Sequence, residues 1–335
     1  MKRFFILLAL LSFAIAAQAQ DITVGLISGL YGDAEAAFVR LKEAGFKACQ
    51  TGFALEWNED TAKEFKRLKK KYDIEISALV YCTPNGRWNF TEGPATIGLV
   101  PPINRIKYLD TYKRAIDFCA MADIPAMHSH FGFIPEEPTS ELYTSFIATM
   151  RELCQYAKDK GVMIYCETGQ ETPTTLIRAI HDIGTGNIFV NCDTANLILY
   201  GKANPVDAIY QFGDLLKELH AKDGHYPTDP YYLGQEVKIP EGKVNFPAVV
   251  KALKDIGFKG VMTIECELGG DNTDYVLKTK KYLEELIEYT KLKQRGLPNK
   301  PKVCLKAKTL FFVKTRPFYH IRAGFNISEI TNATL

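Results

Sequence analysis

Between residues 22 and 266, short apolar runs alternate with longer stretches whose apolar residues recur every three or four positions. The short runs predict strands at Ile22–Ile27, Ala48–Thr51, Ile76–Tyr81, Ala126–Phe131, Met163–Thr168, Ile188–Asp193, Leu216–Lys222 and Val261–Cys266. The longer stretches predict amphipathic helices. Asp33 stands ahead of Ala34, Ala37, Phe38 and Leu41, which share one helical face stopped by Gly45. Pro247 opens a segment that turns Val250, Leu253 and Ile256 inward and stops at Gly257, and Gly161 ends a third. Proline at the start and glycine at the stop is the asymmetry helix ends favour. The stretches LKEAGFK from Leu41 and LKDIGFK from Leu253 form a weak internal repeat, so one β/α unit is used more than once.

Eight strands alternating with helices over ~250 residues suit a closed (β/α)8 TIM barrel in a single domain. A doubly wound open sheet is the competing arrangement. It would carry a glycine-rich phosphate loop after an early strand, and neither GxGxxG nor GxxxxGK[ST] occurs.

The two ends differ from this body. Met1-Lys2-Arg3, an apolar run from Phe4 to Ala17 and Ala17-Gln18-Ala19 have the form of a secretory signal cleaved near Ala19-Gln20. The expectation is an exported protein, periplasmic or secreted. No later run is long enough to cross a membrane. From Lys293 to Leu335 there are nine Lys/Arg and a single acid, Glu329, with aromatic clusters at Phe311-Phe312 and Phe318-Tyr319. This basic tail is either an extension that binds an anionic surface or partner or an appendage without a catalytic role. The expected organisation is therefore a signal peptide at 1–19, the barrel at 20–292 and an atypical basic tail at 293–335. The overall composition, 47% apolar and 24% charged with a formal charge of +2, is that of a globular protein and gives no reason to expect nucleic-acid binding. The eight cysteines include no CxxC pair and sit mostly in apolar runs, so they read as small buried hydrophobes.

In such barrels the reactive groups stand at the C-terminal ends of the strands. The fifth strand ends on Glu167, the sixth on Asp193, the seventh carries His220 and Lys222, and the eighth carries Glu265. Alternation turns these inward beside Tyr165, Asn191 and Thr263, and turns Cys166, Cys192 and Cys266 outward under the helices. Three carboxylates crowded into one apolar mouth repel unless a cation sits among them. Two Glu, one Asp and one His make an oxygen-rich site for one divalent ion: Mn²⁺ foremost, or Mg²⁺ or Co²⁺, with Zn²⁺ a poorer match.

These residues also carry a resemblance. His220-Ala-Lys-Asp223, Leu233-Gly-Gln-Glu236, Gly242 to Pro247, Thr263-Ile-Glu265 and Cys192-Asp193-Thr-Ala-Asn196-Leu197 resemble, in order, the motifs of the sugar phosphate isomerase/epimerase family, with its xylose-isomerase-like TIM barrel. The resemblance covers about Asp21 to Glu288. It implies that Glu167, Asp193, His220 and Glu265 are the metal ligands. It also implies that Glu167 and Glu265 double as the acid and base on opposite faces of a bound sugar. Asn196 is expected among the substrate-binding residues, but it departs from the histidine that ketose 3-epimerases of the family carry at that place, so their substrate is not carried over. The abasic-site endonucleases of the same superfamily need more imidazoles and a basic face than this body has.

The expected reaction is proton abstraction beside a carbonyl of a free or oxidised sugar, through an enediolate, giving isomerisation or epimerisation. Elimination of a 3-keto-glycoside on the same site is one alternative, and a non-catalytic periplasmic sugar-binding module is the other. Lys222 is placed to steady the oxyanion, and His130 to meet the substrate with His128 on the deeper wall, unless both histidines are structural. Trp57 and Phe53 form either an apolar wall for the sugar ring or a core anchor. Asp223 is expected to orient a ligand. Glu267 shares the face of Glu265, and Glu236 lies in a loop that can reach the rim. The partner is a small carbohydrate; the oligomeric state is open.

Overall fold

The computed structural model describes residues 22–294. The signal segment and nearly all of the basic tail lie outside these residues. Eight parallel strands close into a barrel: β1 (Thr23–Ile27), β2 (Ala48–Gly52), β3 (Glu75–Val80), β4 (Ala126–Ser129), β5 (Met163–Glu167), β6 (Ile188–Asp193), β7 (Leu216–Ala221) and, after a short hairpin, β10 (Val261–Ile264). Neighbours around the ring run β1-β10-β7-β6-β5-β4-β3-β2. The hairpin pairs β8 (Asp223–Gly224) with β9 (Glu236–Val237). All eight expected strands are present, and the closed ring replaces the open-sheet alternative.

The main outer helices are α1 (Ala34–Glu43), α2 (Glu59–Tyr72), α4 (Pro102–Ala122), α5 (Glu141–Asp159), α6 (Pro173–Ile183), α8 (Pro205–Phe212), α9 (Phe246–Asp255) and α10 (Thr273–Gln294); α3 (Gly93–Thr96) and α7 (Thr194–Leu199) are short insertions near the strand ends. Local chemistry explains the boundaries. Asp33 accepts the backbone N–H of Ala36 at 2.9 Å, capping α1, and Asn245 caps α9 through Ala248. The repeated LKxxGFK segments end α1 and α9 in the same way, with Gly45 at φ +75° and Gly257 at φ +73° in the left-handed region. The phenylalanine that follows each glycine, Phe46 or Phe258, is buried in the layer between helices and barrel.

Five strands stop short of the apolar runs that predict them, β3 and β5 by a single residue. β4 ends at Ser129 because the carbonyl of Phe131 turns aside to accept Leu99 and Val100 N–H at 2.9 and 3.1 Å. β7 ends at Ala221 and β10 at Ile264, so His130, Lys222 and Glu265 all stand just beyond strand ends, on the rim. Cys166 and Cys192 point outward into the main core, as alternation requires. The seven cysteines among the described residues are unpaired. No helix among the described residues is long and apolar enough to cross a membrane.

Candidate metal centre

Register sets the site. On neighbouring strands β6 and β7, Asp193 is the direct partner of His220, and on β10 the partner of His220 is Thr263, two residues before Glu265. The backbone N–H of Glu265 still bonds the Ala221 carbonyl, so this residue is held to the sheet after its strand has ended. Glu167 closes β5. As a result one donor atom from each of Glu167, Asp193, His220 and Glu265 lies within 4.8 Å of the other three.

The individual contacts centre on the His220 ring. Its Nδ1 lies 3.0 Å from Glu167 Oε1, 2.9 Å from Glu265 Oε2 and 3.9 Å from Asp193 Oδ2. Asp193 Oδ2 and Glu265 Oε2 are nevertheless buried without a hydrogen-bond donor. Buried carboxylate oxygens without donors are costly unless a cation meets them. Both orphaned oxygens face the same ring nitrogen, and the donor set of three carboxylates and one imidazole fits a divalent ion.

The charges agree with this. Burial alone would raise the Glu167 carboxyl, but the imidazoles of His130, His128 and His220 outweigh it and hold it well below the usual carboxylate range. Burial opposes ionisation of Glu265 too, and Lys222 with His220 reverses the sign. At Asp193 burial dominates, Glu265 and Glu167 add to it, and the carboxyl is pushed well up. His220 is raised well above an ordinary imidazole because Glu167 and Glu265 overcome its burial.

Around the four donors stands a ring of supports. Glu167 Oε2 is 2.9 Å from His130 Nε2 and 3.1 Å from His128 Nε2. His130 is steadied through Nδ1 by Gln170 Oε1 at 3.1 Å, and Gln170 in turn donates to the Tyr200 hydroxyl. Asn196 Nδ2 donates to Glu167 Oε1 at 3.3 Å, while the Asn196 backbone N–H caps α7 on Asp193 Oδ1 at 2.7 Å. Lys222, only 2% exposed, donates to Glu267 and stands 3.5 Å from Glu265 Oε1 and 3.8 Å from Asp193 Oδ2. Glu236 reaches the rim, where its carboxylate accepts the Glu267 N–H.

Some expectations shift. Trp57 lies among Tyr31, Phe53, Phe65 and Phe118, with the last two rings on α2 and α4 at centroid distances of 4.9 and 5.1 Å. These contacts tie the half-buried ring into the helix layer, the core-anchor alternative of the two expected for it. The tryptophan at the site is Trp88, whose ring stands 5.0 Å from that of His130 and which is 39% exposed. Asp223 orients no ligand. Its carboxylate accepts the backbone N–H groups of Gly224, Gly242 and Val244 at 2.8, 2.9 and 3.0 Å, which fixes the loop that carries Glu236. A Cβ on Gly242 would fall 2.1 Å from Asp223 Oδ1, so this position requires glycine. Tyr165 faces inward but sits a layer lower, with Ala78 and Ala126.

The comparisons agree with the architecture. Residues 38–291 match the xylose isomerase-like TIM barrel family. The chain belongs to that family. An uncharacterized protein of Methanocaldococcus jannaschii is 27% identical over 239 residues, 68% of this chain and 74% of that protein. An L-ribulose 3-epimerase of Methylomonas sp. is 29% identical over 143 residues, 40% of this chain and 46% of its own. Among solved structures, a xylose isomerase domain protein from Planctomyces limnophilus superposes with a TM-score of 0.74 at 24% identity, covering 79% of this chain and 96% of its own. A xylose isomerase-like TIM barrel protein from Mycobacterium smegmatis, solved in complex with magnesium, gives a TM-score of 0.56 at 17% identity, covering 76% and 88%.

Proposed function

We propose that the protein is a metal-dependent sugar isomerase or epimerase, exported from the cytoplasm, that acts by proton abstraction beside a carbonyl. The observation that carries this reading is the convergence of Glu167, Asp193, His220 and Glu265 within 4.8 Å, with Asp193 Oδ2 and Glu265 Oε2 buried and lacking donors. The epimerase activity in the printed name of the Methylomonas relative supports it. Those four side chains would hold the ion, Mn²⁺ foremost. A divalent cation there supplies the Lewis acidity that polarises a substrate carbonyl.

The remaining work falls to side chains. Glu167 and Glu265 are both held in the ionised form needed by a base. Each turns one oxygen toward His220 Nδ1. The second oxygen of Glu167 is steadied by His130, and that of Glu265 lies near Lys222. One carboxylate would take the carbon-bound proton, and the other, having first taken up a proton from solvent, would return it to the opposite face, which inverts the centre; the first then releases its proton to solvent. Return to the neighbouring carbon gives isomerisation. Lys222 supplies positive charge next to the developing oxyanion, and its exchange of Glu267 for substrate oxygen is the local rearrangement this requires. His130 and Asn196 keep Glu167 aimed and stand nearest to a sugar placed over it.

The test is metal analysis of the purified chain followed by incubation with a panel of ketoses and oxidised sugars in D₂O. Cation-dependent incorporation of deuterium at carbon, lost in Glu167→Gln, is the expected result. Sugar binding without exchange across the whole panel would overturn the proposal in favour of a binding module. Cleavage products from a 3-keto-glycoside would reassign the same first step to elimination.

A further inference from the structure

Below the metal centre, β7 and β2 carry a second layer of buried polar groups that the proposed reaction does not use. Gln50 on β2 and Glu218 on β7 are buried inside the barrel. Glu218 lies two residues before His220 and so shares its inward face. Gln50 Nε2 donates to Glu218 Oε2, and Gln50 Oε1 lies 2.9 Å from His220 Nε2. The three side chains form one line from the barrel interior to the ring on which the cluster centres.

We propose that Glu218 and Gln50 are positioning residues that fix the tautomer of His220, so that its proton sits on Nε2 and its lone pair on Nδ1 faces the cation. The inference rests on the metal-site reading above, and it concerns residues that touch neither ion nor substrate. An amide offers one accepting and one donating end. The Glu218 carboxylate oxygen attracts the donating end, which leaves Gln50 Oε1 as the only end that faces His220. An oxygen in that place accepts a hydrogen bond and cannot donate one, so His220 Nε2 must carry the hydrogen. A neutral imidazole with hydrogen on Nε2 has its free lone pair on Nδ1, the nitrogen 2.9–3.0 Å from Glu265 Oε2 and Glu167 Oε1. If the amide turned over, its NH₂ would meet Nε2, the hydrogen would move to Nδ1, and that nitrogen would cease to be a ligand. Groups placed behind a ligating histidine act in this way. Here the director is an amide, itself directed by a carboxylate.

The test uses the full mature chain, Mn²⁺ for affinity and Mg²⁺ for spectroscopy. Gln50→Leu removes the acceptor without adding charge. The double variant Gln50→Glu with Glu218→Gln restores an acceptor toward His220 and a donor behind it at unchanged net charge. Gln50→Leu is expected to weaken Mn²⁺ binding by about 10–100-fold in titration calorimetry, and the double variant to recover most of that loss. In ¹⁵N-histidine spectra with saturating Mg²⁺, the wild type should show His220 protonated on Nε2. Gln50→Leu should lose that single-tautomer signature. Equal Mn²⁺ affinity and the same signature in Gln50→Leu would overturn the inference. Should Gln50→Leu not fold, the wild-type spectrum still decides: a proton on Nδ1 in the Mg²⁺-loaded protein is incompatible with it. A wild-type chain that binds neither ion would instead sink the metal-centre reading itself, so the two failures are distinguishable.

Discussion

Asp193 and His220 are direct register partners on adjacent parallel strands, and Asp193 uses its two oxygens for different tasks. Oδ1 accepts the Asn196 N–H and caps α7, whereas Oδ2 stands 3.9 Å from His220 Nδ1 with no donor. The two tasks are separable. Asp193→Asn keeps the capping oxygen and removes an ionisable carboxyl from a crowded cluster, so the metal-free protein should unfold at no lower temperature than the wild type. Its thermal shift with Mn²⁺ should disappear. Asp193→Ala should lose the shift and also about 1 kcal/mol of stability through the missing cap. Differential scanning fluorimetry with and without Mn²⁺ separates the two.

Glu167 is the carboxylate most enclosed by imidazoles. Glu167→Gln keeps its size and its contact with Asn196 but removes a base. Deuterium exchange at the substrate carbon should fall by about 10²–10⁴-fold, the range general-base catalysis supplies. Mass spectrometry of the recovered sugar gives the ratio. A variant retaining a tenth or more of the wild-type exchange would remove Glu167 from the proton path.

Glu171, on the loop after β5, is buried, and burial pushes its carboxyl up to about 8 despite opposing attraction from His130 and Lys202. A carboxyl raised in the folded state binds a proton that the unfolded chain has already released. Its contribution therefore makes the protein progressively less stable as pH rises from the unfolded value near 4.5 to about 8, and the cost is complete above that. Glu171→Gln should leave stability at pH 4 nearly unchanged and raise it at pH 9 by a few kcal/mol at most. Denaturant melts at the two pH values check the sign.

Asp223 ties three backbone N–H groups into the loop after β7. Asp223→Ala should cost about 2–4 kcal/mol, because two buried donors and a partly buried one lose a charged acceptor. Mn²⁺ affinity should change far less than in any ligand variant, since no ligand leans on this carboxylate. Urea unfolding set beside calorimetry of Mn²⁺ binding reads both quantities.

How much of this is legible in the sequence follows from the period of a strand. Alternation places Glu167, Asp193, His220 and Glu265 on inward positions and Cys166 and Cys192 on outward ones, and the closed ring brings the four donors together. Residues whose place depends on a loop path are not readable in this way. Trp57 follows β2 closely, but its connection folds back onto α2 and α4, where packing against Phe65 and Phe118 holds the ring. Trp88, Gln170 and Tyr200 reach the site from loops or from the end of a short helix, and no periodicity reports on them. Gln50 lies in a run that reads only as a buried strand, and its partner is 168 residues away. Glu218 did leave a signal: an acidic residue two positions before a candidate ligand, on the same inward face of the strand.

β7 presents Glu218, then His220, then Lys222 just past its end, along a single inward edge, from the barrel floor to its mouth. A slip of one residue in that strand would replace all three at once with Lys217, Leu219 and Ala221. Insertions and deletions are therefore barred from this stretch in any descendant that keeps the centre. Changes of length are accommodated in the loops that follow it, where they do not move the ruler.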